Sequence, residues 1–361
     1  MDSVKTKYFN SLTGLRFLAA TLVFIYHNRK YWRADVHPEI LRFMNEFHVG
    51  VSLFFVLSGF LIAYTYYDEP LQSVRKYGKY FLIRFARVMP IYWLILTAYY
   101  LDPAFGKYNF SPLTYSLFHA FSNLRALEGI AQAWSLNVEM TFYFLAPLLY
   151  LILRKKFLYI LIALVAIFFL AISVGYIWNY YGNTQQFLYP IKFVINSTFA
   201  GLSVQFLAGM LLAYGMRDNK FETFFRIKNK TLLGFLALIL ITYSIGFFEK
   251  TIYVSGDETV PGMILHSLIL PFGVVFIIAG LMTEKTWIQK LFGSRIMVLL
   301  GNASFTFYLI HISYVSIKLR KLILLPDRNF VLLWLVSIVI YLLIEKPLYT
   351  FCRKLIAKIS T

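Results

Sequence analysis

Long apolar segments alternate with short polar ones along almost the whole chain. A helix needs about 20 apolar residues to cross a bilayer, so the first, third and fourth segments must extend into their flanks. The pattern predicts an all-α, polytopic membrane protein with about ten transmembrane helices. The apolar segments cover residues 12–26, 49–67, 88–101, 138–153, 157–178, 199–216, 231–248, 262–282, 296–317 and 330–351.

No long polar insert, low-complexity stretch or internal repeat interrupts this pattern. We therefore expect residues 1–361 to form a single integral membrane domain. The last predicted helix is followed by only about ten residues, less than a further crossing needs. We expect no appended soluble domain, and a separate partner protein stays possible.

Composition and charge agree with a membrane protein. The 361 residues are 59% hydrophobic and 14% charged, with a mean hydropathy of +0.65, which is too apolar for an ordinary soluble domain of this size. The larger share of the 35 lysines and arginines falls on one side of the predicted topology. The positive-inside rule then predicts that both termini are cytoplasmic. This rule and anionic membrane lipids account for the net charge of +18, so nucleic-acid binding is not implied.

Cysteine and histidine give no sign of a metal site in the sequence. The one cysteine, Cys352, precludes an intramolecular disulfide and a site with several cysteines. The six histidines show no paired metal-ligand spacing. We therefore expect no metal.

Arg16 and His27 are the most informative residues, because ionisable side chains are rare inside membrane helices and usually mark function. They lie eleven positions apart in the first apolar segment. A helix places them on nearly one face, about 16 Å apart along its axis. Both side chains can therefore line one cavity.

Two arginines lie at the predicted cytoplasmic end of the third helix. Arg84 and Arg87 are three positions apart and share a helix face, and Pro90 follows them. Guanidinium groups at such a place suit a ligand with several phosphates. Alternatively, they are ordinary anchors at the inner leaflet.

The fourth helix begins at Trp134, and a polar and aromatic face follows at helical spacing through Ser135, Glu139, Phe142 and Tyr143. Glu139 could orient an imidazole, pair with an intramembrane arginine, or lie at the outer interface.

His311 falls in the ninth apolar segment, where it could pack through a hydrogen bond or line a cavity. Ser58 and Gly59 form a small-residue notch that would let another helix or a ligand approach the backbone closely, and helix packing is the favoured interpretation.

Taken together, these segments resemble the membrane-bound acyltransferase-3 family, many of whose members O-acetylate sugars of surface polysaccharides. The resemblance rests on the spacing of Arg16 and His27, on GVSLFFVLSGFLI, RFARVMPIYW, WSLNVEMTFYF and IEKPL, and on SFTFYLIH. It covers nearly the whole chain. The fourth motif departs from the family pattern at Asn137, Met140 and Thr141, where a second carboxylate and an amide are missing.

The resemblance implies a membrane-bound O-acyltransferase that uses acetyl-CoA or a similar acyl-CoA as donor. Arg16, Arg84 and Arg87 would then hold the donor, and a carbohydrate or another hydroxyl compound would be the acceptor. His27 would act as a general base or carry the acyl group itself, two routes that stay open. Glu139 would orient His27 or the acceptor hydroxyl, while Trp134, Ser135 and His311 would contact the acceptor.

The same resemblance implies the bacterial inner membrane and cell-envelope polysaccharide as the setting. The alternative function is a multispanning transporter of a polysaccharide precursor or small solute, since intramembrane charges also occur in transport pathways. A transporter built from repeats should show paired broken helices in related halves. The sequence shows no such symmetry.

Overall fold

A computed structural model describes residues 2–31, 35–67, 73–102, 111–182, 186–249, 254–322 and 326–359. Within these ranges the regular secondary structure is helical, without a strand, and one isolated β-bridge joins Ser122 to Phe187. The all-α prediction is confirmed.

Ten long helices correspond to the ten apolar segments. In the part of the chain that the structure describes, nine of them are long and apolar enough to cross a membrane. Some of these nine include a short flanking helix. The tenth, α9, has 16 residues and is shorter. The helices are α1 (Asp2–Asn28), α2 (Gly50–Thr65), α3 (Val74–Leu101), α4 (Trp134–Lys155), α5 (Phe157–Tyr180), α6 (Phe199–Arg217), α7 (Lys230–Phe247), α8 (Val260–Thr283), α9 (Arg295–Ile310) and α10 (Asn329–Lys358).

The ninth apolar segment is not one continuous helix, so the prediction that His311 lies within that helix is wrong. Helix α9 ends at Ile310, and a second helix, Tyr314–Leu322, follows a turn that contains His311. The hydroxyl of Ser313 donates to the carbonyl of Ile310 (3.0 Å) and accepts from the amide of Val315 (3.3 Å). This local bonding starts the new helix in the way of an N-cap.

Two helices contain a π-helical turn. One covers Leu265–Ile269 inside α8, and the other covers Tyr341–Glu345 inside α10. Such turns insert an extra residue into the helix and are frequent at functional sites. The first of them carries His266.

The chain divides into two compact units. Unit 1 comprises Met1–Tyr67 and Val204–Tyr308, and unit 2 comprises Asp68–Ser203 and Leu309–Thr361. The boundaries fall inside α6 and α9.

In unit 1, α1 packs against α2 and α8. Its buried face follows the helical period through Leu12, Leu15, Ala19 and Val23. Helix α2 also meets α6 at very short range at Gly59, where an added Cβ would lie 2.1 Å from the carbonyl oxygen of Phe206. The notch predicted from the sequence is therefore a packing contact.

In unit 2, α3 packs against α4 and against the helix Lys346–Ile359. The hydroxyl of Tyr77 on α3 donates to the carbonyl of Phe144 on α4 (2.7 Å), and the hydroxyl of Tyr92 donates to the carbonyl of Thr114 (2.7 Å). These bonds hold α3 beside the beginning of α4, where several predicted site residues lie.

Candidate functional site

Arg16 and His27 lie on the single uninterrupted helix α1, as the sequence predicts. Both side chains are half-buried, beside the fully packed face of the helix. The guanidinium of Arg16 lies 6.0 Å from the centre of the Phe54 ring on α2, and Phe54 in turn contacts Tyr308 (ring centres 6.1 Å apart). An aromatic wall therefore flanks the cation without burying it completely.

His27 lies at the end of α1 and contacts the ring of Tyr26, with ring centres 4.8 Å apart. Tyr26 also meets His48 edge to face (5.3 Å). The guanidinium of Arg29 covers Tyr26 at 4.3 Å and donates hydrogen bonds to the side chain of Asn45 and the carbonyl of Tyr26. These contacts fix Tyr26, and with it one side of the space around His27.

The predicted residues of unit 2 form two groups, the first of which surrounds Glu139. The hydroxyl of Tyr143, one helical turn further along α4, donates to the Glu139 carboxylate. The guanidinium of Arg84 on α3 lies 5.9 Å from the ring centres of both Tyr143 and Tyr80. Arg87 is close enough to Tyr143 for an electrostatic interaction. Both arginines thus lie near Tyr143, the hydrogen-bond donor to the Glu139 carboxylate.

The second group of unit 2 lies where α4 begins. The amide of Gln132 donates to the carbonyl of Leu309 (2.7 Å), which brings Trp134 and Ser135 near the turn that contains His311. His311 is fully buried, Trp134 is half-buried, and the buried hydroxyl of Ser135 donates to the carbonyl of Gln132 (2.9 Å). The three residues predicted to contact the acceptor therefore share one region.

Sequence reasoning missed a third group, in unit 1. One potential ligand atom each from His48, Asp257 and His266 lies within 4.8 Å of the other two. Nε2 of His48 is 3.1 Å from Oδ2 of Asp257, and the two imidazole centres are 5.0 Å apart. More than 200 positions separate His48 from Asp257 along the chain. No local spacing could therefore have revealed this group.

The Asp257 carboxylate is ionised. Burial alone would raise the pKa of this carboxyl, but the neighbouring charge of His48 and the hydrogen bonds to His48 and Ser255 outweigh burial and hold the pKa well below its usual range. The adjacent loop is fixed by Glu46, which accepts hydrogen bonds from the Ser255 hydroxyl (2.7 Å) and the Gly256 amide (2.9 Å). An anionic carboxylate is thus held beside two imidazoles.

The structure therefore assembles the predicted residues within each unit. Unit 1 holds Arg16 and His27 on one helix. Unit 2 holds Arg84, Arg87 and Glu139 together and, separately, the segment around His311. Tyr143 and Gln132 are additional residues that sequence reasoning did not single out as functional. The sequence placed Tyr143 on the same helical face as Glu139 but gave it no role, and this spacing is the signal that could have indicated one.

Curated relatives cover most of this chain. A Staphylococcus aureus (strain COL) protein named as a candidate O-acetyltransferase is 25% identical over 348 residues, 86% of this chain and 51% of its own length. The acyltransferase MdmB of Streptomyces mycarofaciens is 25% identical over 336 residues, 83% of this chain and 77% of that protein. The peptidoglycan O-acetyltransferase OatA of Listeria monocytogenes is 23% identical over 348 residues, 86% of this chain and 50% of that protein.

The chain spans about half the length of the Staphylococcus and Listeria relatives. No solved structure matches it. The family description "Acyltransferase domain" matches residues 9–345, which include every site residue predicted from the sequence. With this match over nearly its whole length, the chain is a polytopic member of the membrane-bound acyltransferase-3 family.

Proposed function

We propose that the protein transfers an acyl group, most simply acetyl, from an acyl-CoA to a hydroxyl of a carbohydrate acceptor. The observation that carries this proposal is the family match together with Arg16 and His27 on one helix. Relatives named as O-acetyltransferases agree with an oxygen acceptor. The family match also favours acyl transfer over the transporter alternative.

In this proposal the donor extends along helix α1 from Arg16 to His27. Arg16 and His27 are about 16 Å apart along the axis and about 20° apart around it. A phosphate-bearing donor that enters from the cytoplasm contacts Arg16, and its extended pantetheine arm places the thioester near His27. Arginine suits this role because it keeps its charge and binds phosphate oxygens through two parallel hydrogen bonds.

His27 acts on the thioester by one of two balanced routes. As a general base it takes the proton of the acceptor hydroxyl, whose oxygen attacks the thioester carbonyl while the carbon–sulfur bond breaks and the thiolate of CoA leaves. As an acyl carrier it first attacks the carbonyl itself, and the acceptor oxygen then displaces the imidazole. In both routes the thiolate takes up the proton of the acceptor, so CoA leaves as a thiol.

Unit 2 supplies the remaining proposed roles. Arg84 and Arg87 bind phosphate groups, Glu139 orients an imidazole or the acceptor hydroxyl, and Trp134, Ser135 and His311 contact the acceptor. The Tyr143 hydroxyl supports this assignment because it fixes the Glu139 carboxylate. We further propose a bacterial inner membrane location with both termini in the cytoplasm, as the distribution of basic residues favours.

Transfer of radiolabelled acetyl from acetyl-CoA into the carbohydrate fraction of membranes tests this function. Membranes that contain the wild type should transfer label, and His27→Ala should lower the rate by about 10²–10⁴-fold. The matched control is His37→Asn. His37 is an exposed histidine whose ring caps the short helix Pro38–Met44, a role that asparagine can fill. Wild-type rates in His27→Ala, or no transfer to several carbohydrate acceptors, would contradict the proposal.

A further inference from the structure

We propose that His48, Asp257 and His266 form a binding site for a divalent cation of the zinc class. All three residues belong to unit 1, and the proposal is independent of the proposed acyl transfer. It departs from the expectation of a metal-free protein, which rested on spacing along the sequence. Two imidazoles and one carboxylate are a common ligand set for zinc that leaves a fourth position open.

In each imidazole, one nitrogen contacts a neighbouring carbonyl or hydroxyl, and we assign the other nitrogen to the cation. Nδ1 of His48 contacts the carbonyl of Asn45 (3.4 Å), and since a carbonyl can only accept, this nitrogen carries a proton. Nε2 of His48 faces the Asp257 carboxylate at 3.1 Å, and a cation would displace the proton that pairs these two groups. Nε2 of His266 is 3.0 Å from the hydroxyl of Ser52. We assign the proton of His266 to this nitrogen, so that its Nδ1 becomes the ligand.

The Nδ1 atom of His266 is the buried polar atom that most directly indicates a ligand in this region. It is buried, and it has no hydrogen-bond partner among the described residues. His266 itself is only 6% exposed. Because an unsatisfied polar atom in such a place costs free energy, a buried group of this kind usually signals an ion, a water molecule or a catalytic role. A cation bound to Nδ1 accounts for it.

Backbone features also place His266 for this role. His266 lies in the π-helical turn Leu265–Ile269, which interrupts the regular α-helical period of α8. Such a turn changes the direction of the side chains that it contains, and natural proteins retain it mostly at functional sites. The turn is therefore a second observation in favour of a ligand at His266.

The surroundings of the three ligands resemble those of metal sites. Ligating histidines usually donate their other ring N–H to a carbonyl, a hydroxyl or a carboxylate, which fixes the orientation of the ring. Asn45 and Ser52 provide such partners here. Asp257 also interacts with Ser255, whose hydroxyl bonds to Glu46. Two carboxylates near two imidazoles supply negative charge for a divalent cation, whose binding displaces any proton on its ligands.

The location connects the site to His27. The ring of Tyr26 contacts both His27 and His48, with ring centres 4.8 Å and 5.3 Å apart. A cation at His48 would thus hold the wall that Tyr26 forms beside the proposed catalytic histidine. Its removal should loosen this wall, so stability is a second readout that does not depend on acyl transfer.

Zinc binding to the purified full-length protein tests the proposal. The protein is isolated in detergent with an affinity tag that lacks histidine, stripped with EDTA, titrated with zinc chloride alone and desalted, and its bound zinc is measured by mass spectrometry. The wild type should retain about one zinc ion per chain. Asp257→Asn and His266→Ala should weaken binding by at least about 100-fold, and Ser52→Ala by about 10-fold.

Two comparisons separate this site from adventitious zinc and from misfolding. His37→Asn removes an exposed histidine outside the cluster and should bind zinc like the wild type. In the unaltered wild type, zinc should raise the thermal midpoint and EDTA should reverse the rise, because a ligand that binds only the folded state stabilises it. Less than about 0.1 zinc per wild-type chain, equal zinc in wild type and His266→Ala, or an unchanged wild-type midpoint would overturn the proposal.

Discussion

Replacing Gly59 with alanine should destabilise the protein, because α2 and α6 cross there with almost no space between their backbones. A Cβ at Gly59 would lie 2.1 Å from the carbonyl oxygen of Phe206, and a Cβ at Gly209 would lie 2.0 Å from the carbonyl oxygen of Val56. Ordinary contact requires at least 3.4 Å, so the two helices must separate by more than 1 Å.

The cost follows from this separation. Overpacking of a tight contact typically destabilises a protein by about 1–3 kcal/mol. With a shift of roughly 2 °C per kcal/mol for a larger protein, Gly59→Ala should lower the thermal midpoint by about 2–6 °C. Gly59→Ala and Gly209→Ala combined should cost less than the sum of the two, because the same separation relieves both clashes.

Intrinsic tryptophan fluorescence during heating of the detergent-solubilised protein measures these midpoints. The matched control is Gly78→Ala on α3, where an added Cβ meets no heavy atom within 4 Å. This variant should be neutral or up to about 1 kcal/mol more stable, because alanine favours helix more than glycine does. If Gly59→Ala and Gly78→Ala unfold at the same temperature, the close helix crossing deduced here is wrong.

Two further predictions concern single hydrogen-bonded carboxylates. Tyr143→Phe removes the hydroxyl that donates to Glu139. This variant should transfer acetyl about 10-fold or more slowly than the wild type, with little change in thermal midpoint. Equal transfer rates in the variant and the wild type would leave Glu139 without a positioning partner. Glu284 accepts hydrogen bonds from the Thr231 amide (3.0 Å), the Thr231 hydroxyl (2.7 Å) and the Lys230 amide (2.6 Å) at the start of α7. Burial would raise the pKa of Glu284, but these bonds outweigh burial and lower it. The ionised Glu284 carboxylate therefore stabilises the folded protein fully above its pKa in the unfolded chain, about 4.3. This stabilisation is lost as the pH falls through the pKa of Glu284 in the folded protein. Glu284→Gln should cost about 1–2 kcal/mol at pH 7 and progressively less below about pH 4, which midpoints measured across pH would check. A gap between wild type and Glu284→Gln that persists at the lowest pH would contradict this assignment.

The sequence predicted the features that depend on local periodicity. Apolar segments located the ten long helices, and helical spacing placed Arg16 and His27 on one uninterrupted helix. The end of α9 escaped prediction because the segment stays apolar beyond Ile310, where the hydrogen bonds of Ser313 begin a second helix. Hydrophobicity carries no information about such a bond.

Contacts between distant segments also lay beyond the sequence. His48 and His266 are separated by more than 200 positions, and the π-helical turn that holds His266 has no distinctive residue pattern. The bond from Gln132 to the carbonyl of Leu309, which joins the start of α4 to the turn with His311, spans 177 positions. Tertiary packing alone creates these pairs, so they require a structure.

The division of roles along α1 is the central claim, and the dependence of transfer rate on acetyl-CoA concentration tests it most directly. Arg16→Gln should raise the KM for acetyl-CoA by about 10-fold or more while the rate recovers at saturating donor, because the lost charge-assisted bonds serve binding. His27→Gln should lower kcat by about 10²–10⁴-fold at every donor concentration. Wild-type kcat in His27→Gln, or an unchanged KM in Arg16→Gln, would contradict the account.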